Sequence, residues 1–380
     1  MIESIKKEKI FYFLSVLILV ISLRTLFIPL QGDENTYFEI GSNILQGKYY
    51  QGDNPSSVSP IIPFIMAFFY NSKLPMLGFG LHKLFHIVLT FLGFRFAFLT
   101  FNKLELDKTI IYYLLALTSL STGFITFLSS LYPEAIVFVC FWGTIYYFNL
   151  PKNISNFKKF FLLLVLLIFS RYVYAVIGIL VLLYYYFIYI NSRTSFWKLF
   201  VISLILIAPM FLWFKYIHNI ETQNLSEISY FDRYKSSENP LLYNLKCGLG
   251  LAQNHEVGRI NGIPAFISLF LPITGIRNYF LSILLLIIIV FGLYKNKKNK
   301  IVFSLFVSFI LVFLGFTFAG TGFSRYWLVL LPIIYLGFYY SYTYFFKNPK
   351  YFILFSKVAC LILLLNEVRI TILLLNKNLL

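Results

Sequence analysis

The sequence predicts an all-α, polytopic membrane protein of about eleven transmembrane helices, with interfacial helices in its first extracytoplasmic loop. Two observations predict it. Of the 380 residues, 59% are hydrophobic and only 12% are charged, where soluble domains carry about 25%; the mean hydropathy is +0.79. The apolar residues are gathered into runs of spanning length, separated by short polar stretches.

In order, the runs fall at roughly 10–30, 77–101, 109–129, 133–150, 160–190, 199–217, 276–294, 301–319, 326–346 and 351–375. The first could pass for a signal peptide, but Phe11 to Leu30 makes a helix of about 30 Å and no small-residue cleavage site follows, so it is read as the first span. The fifth is too long for one crossing, at roughly 46 Å. A split at Ser170-Arg171 turns it into two short spans joined by a tight outer turn.

The net charge of +17 would suggest nucleic acid in a soluble protein. Here the cations sit between the apolar runs, at Lys6, Lys7 and Lys9, Lys103 and Lys108, Lys152, Lys158 and Lys159, Arg193 and Lys198, Lys295, Lys297, Lys298 and Lys300, and Lys347 and Lys350. With the N-terminus inside, all of them fall in the cytoplasm, as the positive-inside rule requires. Nucleic acid is excluded as a partner, membrane lipid is expected as one, and the location is the cell (plasma or inner) membrane. Cys140 and Cys360 lie in apolar runs and Cys247 in a polar one, which offers no disulfide framework and no zinc signature.

This topology leaves residues 31–76 and about 218–275 outside, with no soluble domain expected in the single unit 1–380. In the first outer loop, Glu39, Ile40, Ile44 and Leu45 recur at helical spacing after Asn35, and Pro60 and Pro63 open a second run, Phe64 to Tyr70. Both are expected to lie at the interface and shape a groove. The large outer loop is polar at first and apolar around Phe266 to Pro272.

Chemistry is sought where charge meets the outer ends of spans. Asp33 and Glu34 follow the first span, where a general base would be held relative to a lipid-borne substrate; a solvated loop explains them as well. Lys83, Arg171 and Arg325 are cations near outer span ends, placed to meet an anionic partner or to snorkel. Arg325 follows the turn Ala319-Gly320-Thr321-Gly322-Phe323-Ser324, and its planar guanidinium suits a phosphate. Glu134, in Tyr132-Pro133-Glu134, has a helix-starting explanation and a minority functional one. His82, His86, His218 and His255 show no metal-ligand spacing. The acids Glu227, Asp232, Glu238 and Glu256 mix with Arg233, Lys235 and Arg259 as on a solvated face.

Several of these stretches, taken in order, resemble the GT-C superfamily of integral membrane glycosyltransferases, in the branch of protein O-mannosyltransferases and lipid A aminoarabinose transferases. They are Gly32-Asp33-Glu34-Asn35-Thr36-Tyr37 with Gly41 and Leu45-Gln46-Gly47, then Pro60-Ile61-Ile62-Pro63, Lys83-Leu84, and Ser324-Arg325-Tyr326 with Pro332. The likeness covers most of the chain thinly, and only the Asp-Glu segment is fairly specific. No basic residue around Ser57 to Pro60 matches the aminoarabinose transferases, and no large acceptor-selecting domain is present.

The resemblance implies a polyprenyl-phosphate sugar donor, an extracytoplasmic glycan, lipid or protein acceptor, and inverting transfer with Asp33 as catalytic base. Glu34 would position the acceptor or support the base, and Tyr37 and Glu134 would line the acceptor groove. Arg325, with Arg171 or Lys83, would hold the donor phosphate. No cofactor or metal is required, though the scheme leaves room for a divalent ion between Asp33 or Glu34 and phosphate. The rival classes are a lipid-linked oligosaccharide flippase, expected to show repeats and midplane charges, and an O-antigen polymerase or ligase working from the late outer loop.

Overall fold

A computed structural model describes residues 2–51, 54–55, 58–191, 193–223, 239–254, 258–271, 276–320 and 324–379. The sequence readings at Ser57, Glu227, Asp232, Arg233, Lys235, Glu238, His255, Glu256, Pro272, Thr321, Gly322 and Phe323 lie outside the described residues.

The order begins with α1 (Ile2–Ser22), which tightens into a 3-10 turn over Leu23–Phe27. The first loop then forms α2 (Asp33–Ile44) and α3 (Ile61–Phe69). Next come α4 (Pro75–Phe101), α5 (Lys108–Leu120), α6 (Phe124–Ser129), α7 (Glu134–Phe148), α8 (Ile154–Ser170), α9 (Ile179–Asn191) and α10 (Arg193–Gln223). The last group is α11 (Pro240–Leu249), α12 (Tyr279–Lys295), α13 (Lys300–Phe318), α14 (Leu331–Phe346) and α15 (Pro349–Leu379). Further 3-10 segments are Tyr172–Gly178, Ile263–Leu269 and Ser324–Leu330.

Among the described residues, five helical stretches are long and apolar enough to cross a membrane: Pro75–Leu104, Phe196–Asn219, Lys300–Phe318, Arg325–Phe346 and Pro349–Leu374. The chain is an all-α membrane protein. Its only described strands are two minimal hairpins, Tyr50–Gln51 with Asn54–Pro55 and Gln253–Asn254 with Arg259–Ile260.

Helix starts follow local chemistry. The side chains of Asp107, Asn153, Asn239, Asn278 and Asn299 each accept a first-turn backbone N–H, at the starts of α5, α8, α11, α12 and α13. The chain leaves the helix at Arg171, in extended backbone, so the long fifth run is divided there, with α8 before the break and the 3-10 segment Tyr172–Gly178 leading into α9 after it. The third run behaves differently from its reading as a single span. It breaks after Leu120, because Gly123 takes a left-handed conformation (φ +81°) that an α-helix cannot pass through, and α6 resumes as a separate short helix. A second difference lies in the late loop, where the whole 3-10 segment Ile263–Leu269 is buried, against α12 and the Ser324–Leu330 segment.

The core centres on α7, buried along almost its whole length between α4 and α8. Its Trp142 is fully buried and its indole N–H donates to the Val329 carbonyl at 3.1 Å. The two ends of α7 differ in character. At the Phe148 end, Lys103 donates to Asn149 O at 3.5 Å, Asn149 donates to Ser304 Oγ at 2.8 Å, and the Lys152 ammonium sits 4.6 Å from the Tyr184 ring centre. At the Glu134 end gather the residues of the next subsection.

One buried ion pair ties both ends of the chain together. Arg24, in the 3-10 turn after α1, places Nη2 2.7 Å from Glu367 Oε2 on α15, and both side chains are almost wholly buried. Arg24 also donates to Thr371 Oγ1 at 2.8 Å and to Thr126 Oγ1 at 2.9 Å, so it joins α15 to α6. Removing one partner of such a pair strands the other charge. Arg24→Met is therefore expected to cost about 3–5 kcal/mol, and the double change Arg24→Met with Glu367→Leu markedly less. Thermal unfolding of the purified variants checks this, and equal losses in single and double variants would show that the charges themselves do not matter.

Candidate functional site

The site starts from the turn that opens α2. Gly32 has φ +54°, and a Cβ there would lie 3.3 Å from the Tyr132 hydroxyl, which itself donates to Gln31 O at 3.0 Å. Glu34 closes this turn by accepting the Gln31 N–H at Oε2 (2.8 Å), in the manner of a capping box. Its other oxygen accepts the Leu131 N–H at 2.7 Å, across to the segment before α7. Glu34 is 3% exposed, and burial raises its pKa, against the opposing pull of the Leu131 and Gln31 amides. Both carboxylate oxygens are thus engaged by backbone, and what Glu34 positions is the first turn of α2. Asp33 lies in that turn, next to the positive end of the helix dipole, and not on the tail of the first span.

Asp33 meets residues nearly three hundred positions away. Arg325 Nη2 is 2.6 Å from Asp33 Oδ2 and donates to the Tyr326 hydroxyl at 3.2 Å. Arg171 Nη2 is 2.6 Å from Glu134 Oε1, and the same oxygen is 3.8 Å from Arg325 Nε. The Tyr326 ring centre is 4.1 Å from the Arg171 guanidinium and 5.1 Å from that of Arg325, while Tyr132 is 4.9 Å from Arg325. Two guanidinium groups and two carboxylates therefore form one balanced cluster, packed between tyrosine faces.

The cluster is layered. Glu134 is 5% exposed, the two arginines 16–17% and Asp33 48%, so Asp33 forms the outer rim and Glu134 the floor. Glu134 Oε2 is buried without a hydrogen-bond partner. Glu134 also lines a small cleft together with Leu128, Val137, Arg171, Tyr174, Arg325 and Tyr326. Tyr37, one turn beyond Asp33, is buried close enough to feel all four charges, and desolvation raises its hydroxyl pKa. Ser59 donates to Ser170 O at 2.7 Å, fastening the first loop to the turn that carries Arg171.

Of the residues read from the sequence, Asp33, Arg325, Arg171, Glu134 and Tyr37 are brought together and Glu34 supports them from behind. Lys83 stands apart. Its ammonium donates to Thr25 O at 2.7 Å and to Ile28 O at 2.6 Å, which caps the 3-10 turn after α1 and leaves its charge turned toward backbone, not toward the cluster. His86 Nδ1 lies 2.6 Å from Ser130 O, and His82 stacks on Phe69 with ring centres 5.2 Å apart. Among the described residues no group of three or more His, Cys, Asp or Glu is placed to hold a metal ion.

The sequence reading overlooked Tyr132 as a packing face for Arg325, and Gln31 as the partner of both Glu34 and Tyr132. A usable signal was present for Tyr132, which immediately precedes a Pro-Glu helix start. Nothing in the sequence marks Gln31.

Chemically, this arrangement offers a half-exposed carboxylate next to two fixed cations, at one end of an apolar bundle. Such a carboxylate can accept a proton, and the cations can hold a phosphate. If Glu34 is the fastener of this turn, Glu34→Ala strands two backbone N–H groups and is expected to cost about 1–3 kcal/mol for each one left unsatisfied. Hydrogen exchange at Gln31 and Leu131, followed by mass spectrometry, should show both amides newly labile, and unchanged protection would contradict the assignment. Comparison of the chain with protein-family models, with curated proteins and with solved structures gives no match.

Proposed function

We propose that the chain is an integral membrane glycosyltransferase of the inner or plasma membrane, moving a sugar from a polyprenyl-phosphate donor to an extracytoplasmic acceptor with inversion at the anomeric carbon. The observation that carries this reading is the pairing of half-exposed Asp33 with Arg325 at 2.6 Å, directly above Arg171 and Glu134. That pairing puts a candidate base and a candidate phosphate holder in one place.

The reading includes about eleven crossings. Five stretches long and apolar enough to cross a membrane, five shorter apolar ones and α8 support that reading. The lysines at 103, 108, 152, 158, 159, 295, 297, 298 and 300 lie around the Phe148 end of α7 or on the loops that return to it, which supports a cytoplasmic N-terminus and an extracytoplasmic site.

In the reaction, Asp33 takes the proton of the acceptor hydroxyl as that oxygen forms its bond to the anomeric carbon. The bond from the anomeric carbon to the phosphate oxygen breaks, and its electron pair stays on the phosphate. The negative charge neutralised at Asp33 reappears on the departing phosphate, where Arg325 holds it and the charge of Arg171 beneath stabilises it, so the site's total charge does not change. Tyr37 and Glu134 shape the space in which the sugar and the acceptor meet. Arg325, held by Tyr326 and Glu134 as well as by Asp33, offers donors in the planar fork that matches phosphate oxygens.

Transfer of labelled sugar from a panel of polyprenyl-phosphate sugars, measured with the purified protein, tests the reading. Turnover is expected with one donor and should fall by at least about 100-fold in Asp33→Asn, with the protein still folded and monodisperse. Full activity in Asp33→Asn would remove the proposed base. Binding of lipid-linked sugar without any turnover would favour a flippase, and activity lost only on changing the 218–264 loop would favour the polymerase or ligase class. Arg325→Ala is expected to weaken the donor more than the acceptor, seen as a larger rise in the donor's KM; equal effects on both substrates would count against its phosphate role.

A further inference from the structure

The charge cluster is already neutral. Each guanidinium has a carboxylate at 2.6 Å, so an incoming phosphate competes with one of the two. The structure distinguishes them clearly. Glu134 is 5% exposed, lies beneath both arginines, and starts the buried helix α7. Arg171 is held against it from the other side by the Tyr326 ring at 4.1 Å. Asp33 is 48% exposed, sits on the rim, and among the described residues forms its ion pair with Arg325. Turning it outward requires a side-chain rotation in the first turn of α2, with the turn itself held by Glu34.

Resting on the glycosyltransferase reading, we infer that the donor phosphate binds Arg325 in exchange for Asp33, so that donor binding is what releases the base for the acceptor. Asp33 is by far the more exposed of the two carboxylates near Arg325, so a phosphodiester entering from the rim reaches the Asp33–Arg325 pair before it reaches Glu134. A partly exposed ion pair is worth little and yields to a charged competitor. Paired with Arg325, Asp33 has its Oδ2 turned to a cation; displaced, that oxygen can turn to the acceptor hydroxyl while staying beside the phosphate. Glu134 and Arg171 do not exchange. They hold Arg325 and Tyr326 in place while the rim partner changes. The order of events is then donor first, base released, acceptor deprotonated.

The exchange makes an unusual demand on Asp33→Asn: the change that abolishes transfer should improve phosphate binding. Farnesyl phosphate is the probe, titrated against the full-length protein in detergent, with farnesol as the uncharged control. Asp33→Asn is expected to bind farnesyl phosphate about three- to tenfold more tightly than the wild-type protein, the ratio set by losing a competing partly exposed ion pair, with farnesol binding unchanged. In an Arg325→Gln background the same Asp33 substitution should change the affinity little, because no exchange remains to be made.

Equal binding by wild type and Asp33→Asn would overturn the exchange while leaving Arg325 as a phosphate site. The same gain in the Arg325→Gln background would overturn it too, by showing plain repulsion between Asp33 and the phosphate. No binding of farnesyl phosphate by either protein would overturn the exchange and the reading of the site together.

Discussion

Burial of Glu134 beneath Arg171 and Arg325 demands that their charges be balanced, and much of the architecture can be traced to it. An isolated ion at the edge of an apolar bundle is expensive. Each of these three, and Asp33 with them, is brought by a different part of the chain: the first loop, the start of α7, the break after α8 and the segment before α14. The buried Glu134 carboxylate, 2.6 Å from Arg171 and 3.8 Å from Arg325, fixes where the start of α7, the break after α8 and the segment before α14 converge, and Asp33 joins them at the rim. The buried Arg24–Glu367 pair does the same for the two ends of the chain. In a bundle whose helices meet mostly through interchangeable apolar contacts, such pairs select one arrangement over others that bury as much surface.

The supports around the cluster are backbone groups, not further charges. Glu34 accepts amides from Gln31 and Leu131, Lys83 donates to the Thr25 and Ile28 carbonyls, and Ser59 donates to Ser170 O. Each of these bonds answers a polar group left over where a helix starts or stops. The site therefore stands on the ends of elements, where the chain is rigid enough to hold a carboxylate and still open enough for one side of it to face outward.

Much of this was legible in the sequence, for physical reasons. Apolar runs of spanning length announce themselves, and Arg171 marked the break between α8 and the segment after it because a cation and a serine interrupt an otherwise apolar stretch. Asp33, Arg325 and Arg171 stood out as ions at the outer ends of spans. What was hidden is who pairs with whom. Lys83 and Arg171 look equivalent in sequence, yet one caps backbone carbonyls and the other meets Glu134. Glu34 and Asp33 are neighbours, yet one is buried and the other forms the rim. Such distinctions depend on which face of a turn points inward, and that is decided by distant residues such as Leu131 and Tyr132. The interruption at Gly123 was missed because the residues on both sides are apolar enough to read as one span.

The proposed glycosyl transfer puts the lipid-linked sugar at this end of the bundle. A structure of the purified chain with a non-hydrolysable polyprenyl-phosphonate sugar bound is the decisive test. The phosphonate is expected on the guanidinium of Arg325, with the anomeric carbon facing outward toward Asp33 and the Asp33 carboxylate turned away from Arg325. A phosphonate held elsewhere, with the Asp33–Arg325 pair still closed, would contradict it.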